Sequence, residues 1–229
     1  RALGEPSAAA PTVTVFWGEP DGGTTPGAWD ASVDLGVSAE GPLSTTVTGL
    51  SIDTTYYYRY YATNANGEAW ADSAAGLTTD PDFTQFTHAL PITFDGYDRA
   101  ETLVDFPALV QLNEFTVPCF GYDQFTHPSN GADLRFADAT GQALNYEVEQ
   151  WDSAGTSLVW VQVPALSAGT TITAYWGNAS AAANPPAYTT DGSAWSEEYV
   201  GVWHFNEDSG TVFDSSGNGL HGTPVDDVI

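Results

Sequence analysis

Apolar and polar residues alternate with a period of two along most of this chain, which is the pattern of β-strands with one face turned inward. The alternation is clearest in four segments, at 12–17, 56–62, 143–151 and 157–163. Clusters of Gly, Asn, Asp and Thr, which favour turns, separate these segments. No long window repeats apolar residues every three to four positions, as an amphipathic helix would. The pattern therefore predicts an all-β protein with negligible helix.

The last two of these segments differ in what their second face carries. In 143–151 every second residue is apolar, so we expect Glu147 and Glu149 to share a solvated face. In 157–163 both faces are apolar, with Leu158 and Trp160 on one and three valines on the other. A strand of this kind is typical of the centre of a sheet that is covered on both sides.

Two polar stretches that contain proline divide the chain into domains. The first lies at 78–85, and the second, at 178–194, is rich in Ala, Pro, Ser and Thr, a composition that favours an extended spacer. A length of 229 residues suits two domains of ordinary size with a remainder. We predict tandem β-sandwich domains, with a first domain at 1–79, a second at 86–177, a linker at 178–194 and an incomplete third at 195–229.

The first domain resembles a fibronectin type III repeat. Residues 50–67 match the family's Leu-x-x-x-Thr-x-Tyr turn and the strand that follows it, which ends in Ala-x-Asn-x-x-Gly. The resemblance implies a sandwich plugged by Leu50, in which the hydroxyl of Tyr56 folds back to the turn as a tyrosine corner. The family needs one or two strands before residue 12. We therefore expect a first domain that is N-terminally incomplete, either truncated or completed by another chain.

The second domain resembles an uncharacterised bacterial extracellular domain of unknown function that commonly precedes lectin-like domains. The matching segments are 91–94, 105–112, 130–136, 146–151, 158–163 and 172–177. The resemblance implies a jelly-roll-like β-sandwich and brings no established chemistry. It covers nearly all of residues 86–177.

The third part resembles the opening of a laminin-G/concanavalin-like jelly roll. The resemblance rests on Val202-Trp-His-Phe205, then Asp208-Ser-Gly210 and then Asp214-Ser-Ser-Gly-Asn-Gly219. A domain of that family is far longer than this stretch. We therefore expect strands here that lack the rest of their sheet.

The charge of the chain excludes some partners. Thirty acidic residues face four arginines and no lysine, which gives a net charge of −26. Nucleic acids and anionic membranes need clustered cations to replace their counterions, so neither is an expected partner. Acidity of this kind either keeps an extracellular protein soluble or is neutralised by divalent cations. We expect an extracellular or cell-surface location.

The sequence contains no recognisable catalytic constellation. Its four histidines are scattered without zinc spacing, and no nucleophile stands near a base and an orienting acid. We predict that the chain is not an enzyme. The single cysteine, Cys119, is expected to be a small buried apolar residue.

Calcium is the cofactor that the sequence suggests. Hard cations bind several loop oxygens, and the resemblance to lectin-like jelly rolls implies ligands in early Asp/Asn loops. The candidates are Asp214 and Asn218, with Asp208 as a helper. The alternative is that this Asp-Ser-Ser-Gly-Asn-Gly stretch is a plain turn.

Two functions fit these observations. The first is a structural or adhesive module of a modular bacterial surface protein, as a filament or matrix subunit whose incomplete ends pair with neighbouring copies or modules by strand addition. The second is a carbohydrate-binding module of a larger polysaccharide-active protein. Conceivable sugar platforms are Trp29, Trp70, Trp151, Trp176 and Trp195, whereas Trp17 and Trp160 are expected in the core.

Overall fold

The protein is all-β, as the alternation predicts. A computed structural model describes residues 10–51 and 53–225, which contain eleven strands in three antiparallel sheets. The helical segments of this described part are single 3-10 turns, at Pro26–Ala28, Phe83–Gln85, Tyr122–Gln124 and Ala187–Thr189. None of its helices is long and apolar enough to cross a membrane. The chain forms two compact units, residues 1–79 and residues 80–229.

Unit 1 is built on one five-stranded sheet. Its strands are β1 (Thr12–Gly18), β2 (Ala31–Val37), β3 (Thr55–Asn64), β4 (Gly67–Trp70) and β5 (Ala75–Thr78). They are ordered β2-β1-β3-β4, and β5 pairs with the first half of β3. Val13 and Val15 of β1 are buried, so the predicted inward face of this strand is confirmed.

The turn into β3 contains the hydrogen bond of a tyrosine corner. The hydroxyl of the buried Tyr56 accepts a hydrogen bond of 3.0 Å from the backbone N–H of Ser51. This bond ties the start of β3 to the loop before it, as the spacing of Leu50 and Tyr56 predicts.

The second layer of unit 1 is a loop. Residues 43–50 belong to no strand, yet the apolar side chains of Leu43, Val47 and Leu50 turn toward the sheet. Between these side chains and the sheet lies an apolar cavity of about 330 Å³. The indole N–H of Trp17, which also lines the cavity, is buried without a hydrogen-bond partner.

Unit 2 is a β-sandwich of two three-stranded sheets. Its strands are β6 (His88–Thr93), β7 (Leu103–Leu112), β8 (Arg135–Ala137), β9 (Tyr146–Gln150), β10 (Ser157–Leu166) and β11 (Thr171–Trp176). One sheet has the order β7-β10-β9 and the other the order β6-β11-β8. The valines of β10 pack with Ile172 and Trp176 of β11 in one apolar core.

Strand β10 is the central strand that the sequence predicts. It pairs with β7 on one side and β9 on the other. Val159, Val161 and Val163 are at most 1% exposed, in the core. The opposite face is also covered, because the ring of Trp160 contacts that of Trp195, with centroids 5.5 Å apart.

The chain after β11 stays on the sandwich. Tyr188 packs against the core, with its ring centroid 5.7 Å from that of Tyr146. The side-chain amide of Asn145 donates to the carbonyl of Ser193 at 3.1 Å. Residues 193–206 then run over the outer face of the β7-β10-β9 sheet, where Trp195 contacts Trp160 of β10 and His204 contacts Glu147 of β9.

Cys119 contradicts its prediction. Its side chain is exposed rather than buried, and its backbone has a φ of 65°. A left-handed conformation is typical of a turn and uncommon for a residue with a Cβ. The exposure of Cys119 therefore follows from the path of the loop between β7 and β8. The apolar character of the residue does not predict that path.

Candidate functional site

The outer face of β9 carries a buried charged cluster. Glu147 and Glu149 stand two residues apart and so share one face of the strand. Their side chains are only 12% and 19% exposed, which makes the prediction of a solvated face wrong. The cause is tertiary, because residues 193–206 return over this face and cover most of it.

His204 lies between the two carboxylates. Its Nε2 is 2.9 Å from Oε1 of Glu147, and its Nδ1 is 3.4 Å from Oε2 of Glu149. The histidine side chain is itself 10% exposed. Both ring nitrogens therefore face acidic oxygens in a largely covered place.

Two indole groups complete the cluster. Trp195 donates its ring N–H to Oε2 of Glu147 at 2.7 Å, and Trp160 donates to Oε2 of Glu149 at 2.7 Å. The ring centroid of His204 lies 5.8 Å from that of Trp195 and 6.3 Å from that of Trp160. The carboxylates are thus desolvated but hydrogen-bonded, which is the condition for charges to be stable inside a protein.

The surroundings favour the charged form of the histidine. The hydrogen bond to Glu147 raises the pKa of His204 above its ordinary value, burial opposes this rise, and the charges of Glu147, Glu149 and Glu207 add to it. Glu207 lies in the same segment as the histidine. Its pKa is lowered, chiefly because its carboxylate accepts a 2.7 Å hydrogen bond from the backbone N–H of Phe213.

A small polar cavity of about 220 Å³ adjoins the cluster. Its lining includes Glu147, Glu149, His204 and Glu207, together with Asn206 and Phe213. Within the described ranges, no group of three or more His, Cys, Asp or Glu side chains is arranged to hold a metal ion. The carboxylates of β9 already face the imidazole of His204 and accept both indole N–H groups.

The residues predicted to bind calcium lie outside this cluster. Asp214 is 7% exposed, and its carboxylate accepts hydrogen bonds of 2.9 Å from the backbone N–H groups of Val202, Ser216 and Leu220. Asn218 belongs to the same loop, and Asp208 is exposed. The amide group of Asn218 donates to the carbonyls of Tyr199 and Val200. Calcium binding at these residues stays a prediction.

The hydrogen bonds of Asp214 also set its ionisation. Burial by itself would raise the pKa of this carboxyl, but the donors from Val202, Ser216 and Leu220 outweigh burial and hold the pKa well below its ordinary range. Asp214 is therefore ionised at neutral pH and organises the loop around it, which is what a plain turn with a structural aspartate also does.

Most of the candidate sugar platforms are unsuited to that role. Trp29, Trp176 and Trp195 are 7%, 1% and 8% exposed, so they are core or cluster residues. Trp70 and Trp151 are half-buried, as are Trp17 and Trp160. The remaining tryptophan, Trp203, is 38% exposed.

The sequence contained one usable signal for the cluster, which alternation within a single strand does not show. A central strand with Trp160 on its second face requires a cover over that face, and the adjacent strand β9 must lie under the same cover. Glu147 pairs with Trp160 across the ladder, so it shares the covered face. Nothing in the local pattern identifies His204 or Trp195 as the covering residues.

Comparison with known proteins gives one match. No curated protein and no solved structure matches the chain. Residues 130–218, less than half of the chain, match a family model described as a domain of unknown function, DUF2341. The matched range begins before β8 and extends through Asn218, so it contains both glutamates of β9, His204 and the Asp214 loop.

Proposed function

We propose that this chain is a structural or adhesive module of a secreted or cell-surface modular bacterial protein. In this proposal, unit 1 accepts a β-strand from a neighbouring copy or module, and repeated addition builds a filament or matrix. A heterologous contact of this kind gives open assemblies unless its rotation closes a ring. The strongly acidic composition and the absence of lysine from the sequence support an extracellular location.

The observation that carries the proposal is the open apolar cavity of unit 1 beside residues 43–50. Within the part of the chain that the structure describes, the backbone of these residues forms no hydrogen bond with other backbone groups. Leu43, Val47 and Leu50 nevertheless line the cavity. The Leu43 carbonyl accepts from the Tyr60 hydroxyl at 3.4 Å. Backbone groups without backbone partners among the described residues, next to an apolar space, are what an incoming strand with alternating apolar residues pairs with.

The finer resemblances fit this role. The Tyr56 hydrogen bond is the feature that supports reading unit 1 as a fibronectin type III-like repeat. Unit 2, read as a jelly-roll-like sandwich, would serve as a rigid spacer.

Light scattering coupled to size-exclusion chromatography tests the proposal. We expect the mass of the 229-residue chain to rise above 24.2 kDa as concentration increases, in a buffer with enough salt to screen the net charge. Leu43→Glu places a charge on the cavity wall and should keep the chain monomeric. Val37→Glu, at a residue of β2 that is 72% exposed and outside the cavity lining, is the matched control and should still associate. A wild-type chain that stays monomeric at every concentration contradicts the proposal.

One observation favours the alternative of carbohydrate binding. Phe16, Tyr61 and Trp70 form a half-buried aromatic cluster on the sheet of unit 1, with the ring centroid of Trp70 5.1 Å from Phe16 and 4.9 Å from Tyr61. The Tyr61 hydroxyl donates to Glu68 at 2.5 Å. Aromatic rings beside a carboxylate suit a sugar. Binding on a glycan array that is lost in Trp70→Ala and kept in Trp203→Ala would support this alternative.

A further inference from the structure

The protonation state of His204 follows from the carboxylates that face its two ring nitrogens. A neutral imidazole has one N–H donor and one acceptor, whereas an ionised carboxylate is only an acceptor. Nε2 and Nδ1 of His204 face oxygens of Glu147 and Glu149 at 2.9 and 3.4 Å. Each of these carboxylates also accepts an indole N–H, at 2.7 Å. The arrangement is complementary to an imidazolium with two N–H donors between two carboxylates.

The charged groups around His204 come from two elements. Glu147 and Glu149 face it from β9, and Glu207 acts on it from its own segment. Strand β10 contributes the uncharged ring of Trp160. The loss of one proton from His204 would leave two desolvated carboxylates facing a neutral ring. One ring nitrogen would then be a hydrogen-bond acceptor opposite a carboxylate oxygen, which is also an acceptor.

The same contacts hold the returning segment to the sheet. His204 and Trp195 bind Glu147, and the side-chain amide of Asn206 donates to the carbonyl of Glu149 at 3.3 Å. Beyond residue 206, the described segment contains one isolated bridge, between Val212 and Gly222, and no ladder to β7, β9 or β10. The polar cluster is therefore one attachment of residues 193–206 to the outer face of the sandwich, beside the Asn145–Ser193 hydrogen bond and the contact of the Trp195 and Trp160 rings.

We propose that His204, Glu147 and Glu149 form a proton-dependent latch, which fastens residues 193–206 over the β7-β10-β9 sheet when the imidazole is charged and releases them when it is neutral. Release would uncover the face of Trp160 and both carboxylates. The latch concerns unit 2 alone and does not depend on strand addition in unit 1.

The sign of the pH dependence is fixed by linkage. The folded state raises the pKa of His204 above its ordinary value of about 6.5. The latch is then fully closed below that ordinary value, and its stabilisation is lost as the pH rises through the folded-state pKa. Residues 193–206 should therefore be most protected in mildly acidic solution and should open in alkaline solution.

Hydrogen exchange of the whole chain, read by mass spectrometry and corrected for the intrinsic pH dependence of exchange, tests the latch. We expect protection of residues 193–206, relative to β10, to fall on the order of tenfold between about pH 6 and about pH 9. His204→Gln keeps a polar side chain without the charge and should give low protection at both pH values. His127→Gln, a second partly buried histidine of unit 2 with its ring nitrogen 3.1 Å from the Ala181 carbonyl, should leave the pH dependence intact.

A second measurement covers the case in which His204→Gln fails to fold. NMR titration of the His204 ring in the wild-type chain should give a midpoint above that of a free histidine, and Glu149→Gln should lower it. Equal protection of residues 193–206 at both pH values, pH dependence that survives in a folded His204→Gln variant, or a midpoint at or below the free value would overturn the latch.

Discussion

His204 Nε2 lies 2.9 Å from Oε1 of Glu147, although 57 positions separate the two residues in the sequence. Together with the hydrogen bond from Trp195, this contact covers a face of β9 whose sequence pattern predicts a solvated surface. The histidine has no metal-binding or catalytic motif around it, yet its other ring nitrogen, Nδ1, lies 3.4 Å from Oε2 of Glu149. The cluster lies within the range that matches the domain of unknown function.

Removal of the indole donor of Trp195 should weaken unit 2. Trp195→Phe keeps an aromatic ring but deletes the N–H that binds the Glu147 carboxylate. A hydrogen bond to a charged group contributes about 1.5–3 kcal/mol, so we expect a loss of that size in the free energy of unfolding, measured with urea. Trp203→Phe deletes an N–H that binds the neutral Leu220 carbonyl and should cost only about 0.5–1.5 kcal/mol. Equal losses in the two variants would contradict the expectation that the hydrogen bond to the Glu147 carboxylate stabilises unit 2 more than the one to the Leu220 carbonyl.

The tyrosine corner should stabilise unit 1 measurably. Tyr56→Phe removes the hydroxyl that accepts from Ser51 while the ring stays in the core. The expected loss is about 1 kcal/mol in the free energy of unfolding of unit 1, because the amide of Ser51 loses its partner. Tyr57→Phe, at the next position of β3, is the control and should change stability by less than about 0.5 kcal/mol. A neutral Tyr56→Phe would show that the corner is incidental.

Truncation of a core side chain should depend on its face of β7. Leu112 is 1% exposed within the sandwich, and Leu112→Ala should cost about 2–5 kcal/mol through lost burial and a residual cavity. Leu109, on the same strand, is 39% exposed, and Leu109→Ala should cost far less. Denaturant titration of both variants measures the difference, and similar losses would conflict with the assignment of the core.

Calcium should raise the melting temperature if the Asp214 loop binds it, because a ligand of the folded state stabilises that state. Differential scanning calorimetry in calcium and in chelator, at matched ionic strength, measures this effect. Asp214→Asn should abolish it, whereas Asp152→Asn, which alters a turn with a similar backbone hydrogen bond to Ala154, should preserve it. Coincident melting curves for the wild-type chain would contradict calcium binding by the Asp214 loop.

Cys119 should react with a thiol reagent without unfolding. Its side chain is exposed, so the native chain should be labelled at a rate within about tenfold of the urea-unfolded chain. Ellman's reagent measures both rates. Protection by orders of magnitude in the native state would instead support the buried position that its apolar character suggests.

The sequence by itself determined the local elements of this protein. Alternation identified β1, β3 and β10, and in β1 and β10 also the buried valines, because a strand with a covered face needs an apolar residue at every second position. The fibronectin-like pattern from Leu50 to Tyr56 predicted that the tyrosine hydroxyl folds back to the turn, and its partner there, Ser51, lies only five positions away. Apolar residues on both faces of β10 indicated a central strand for the same local reason.

The tertiary structure decided what covers each face. Alternation records that Glu147 and Glu149 are polar, but it does not distinguish water from a polar partner brought in from another part of the chain. That partner is His204, and the path of residues 178–204 over the sandwich brings it to the two glutamates. This path depends on the packing of Tyr188 and Trp195. Burial of a charge is a property of all the atoms around it, so a pattern read along a single strand leaves it undetermined.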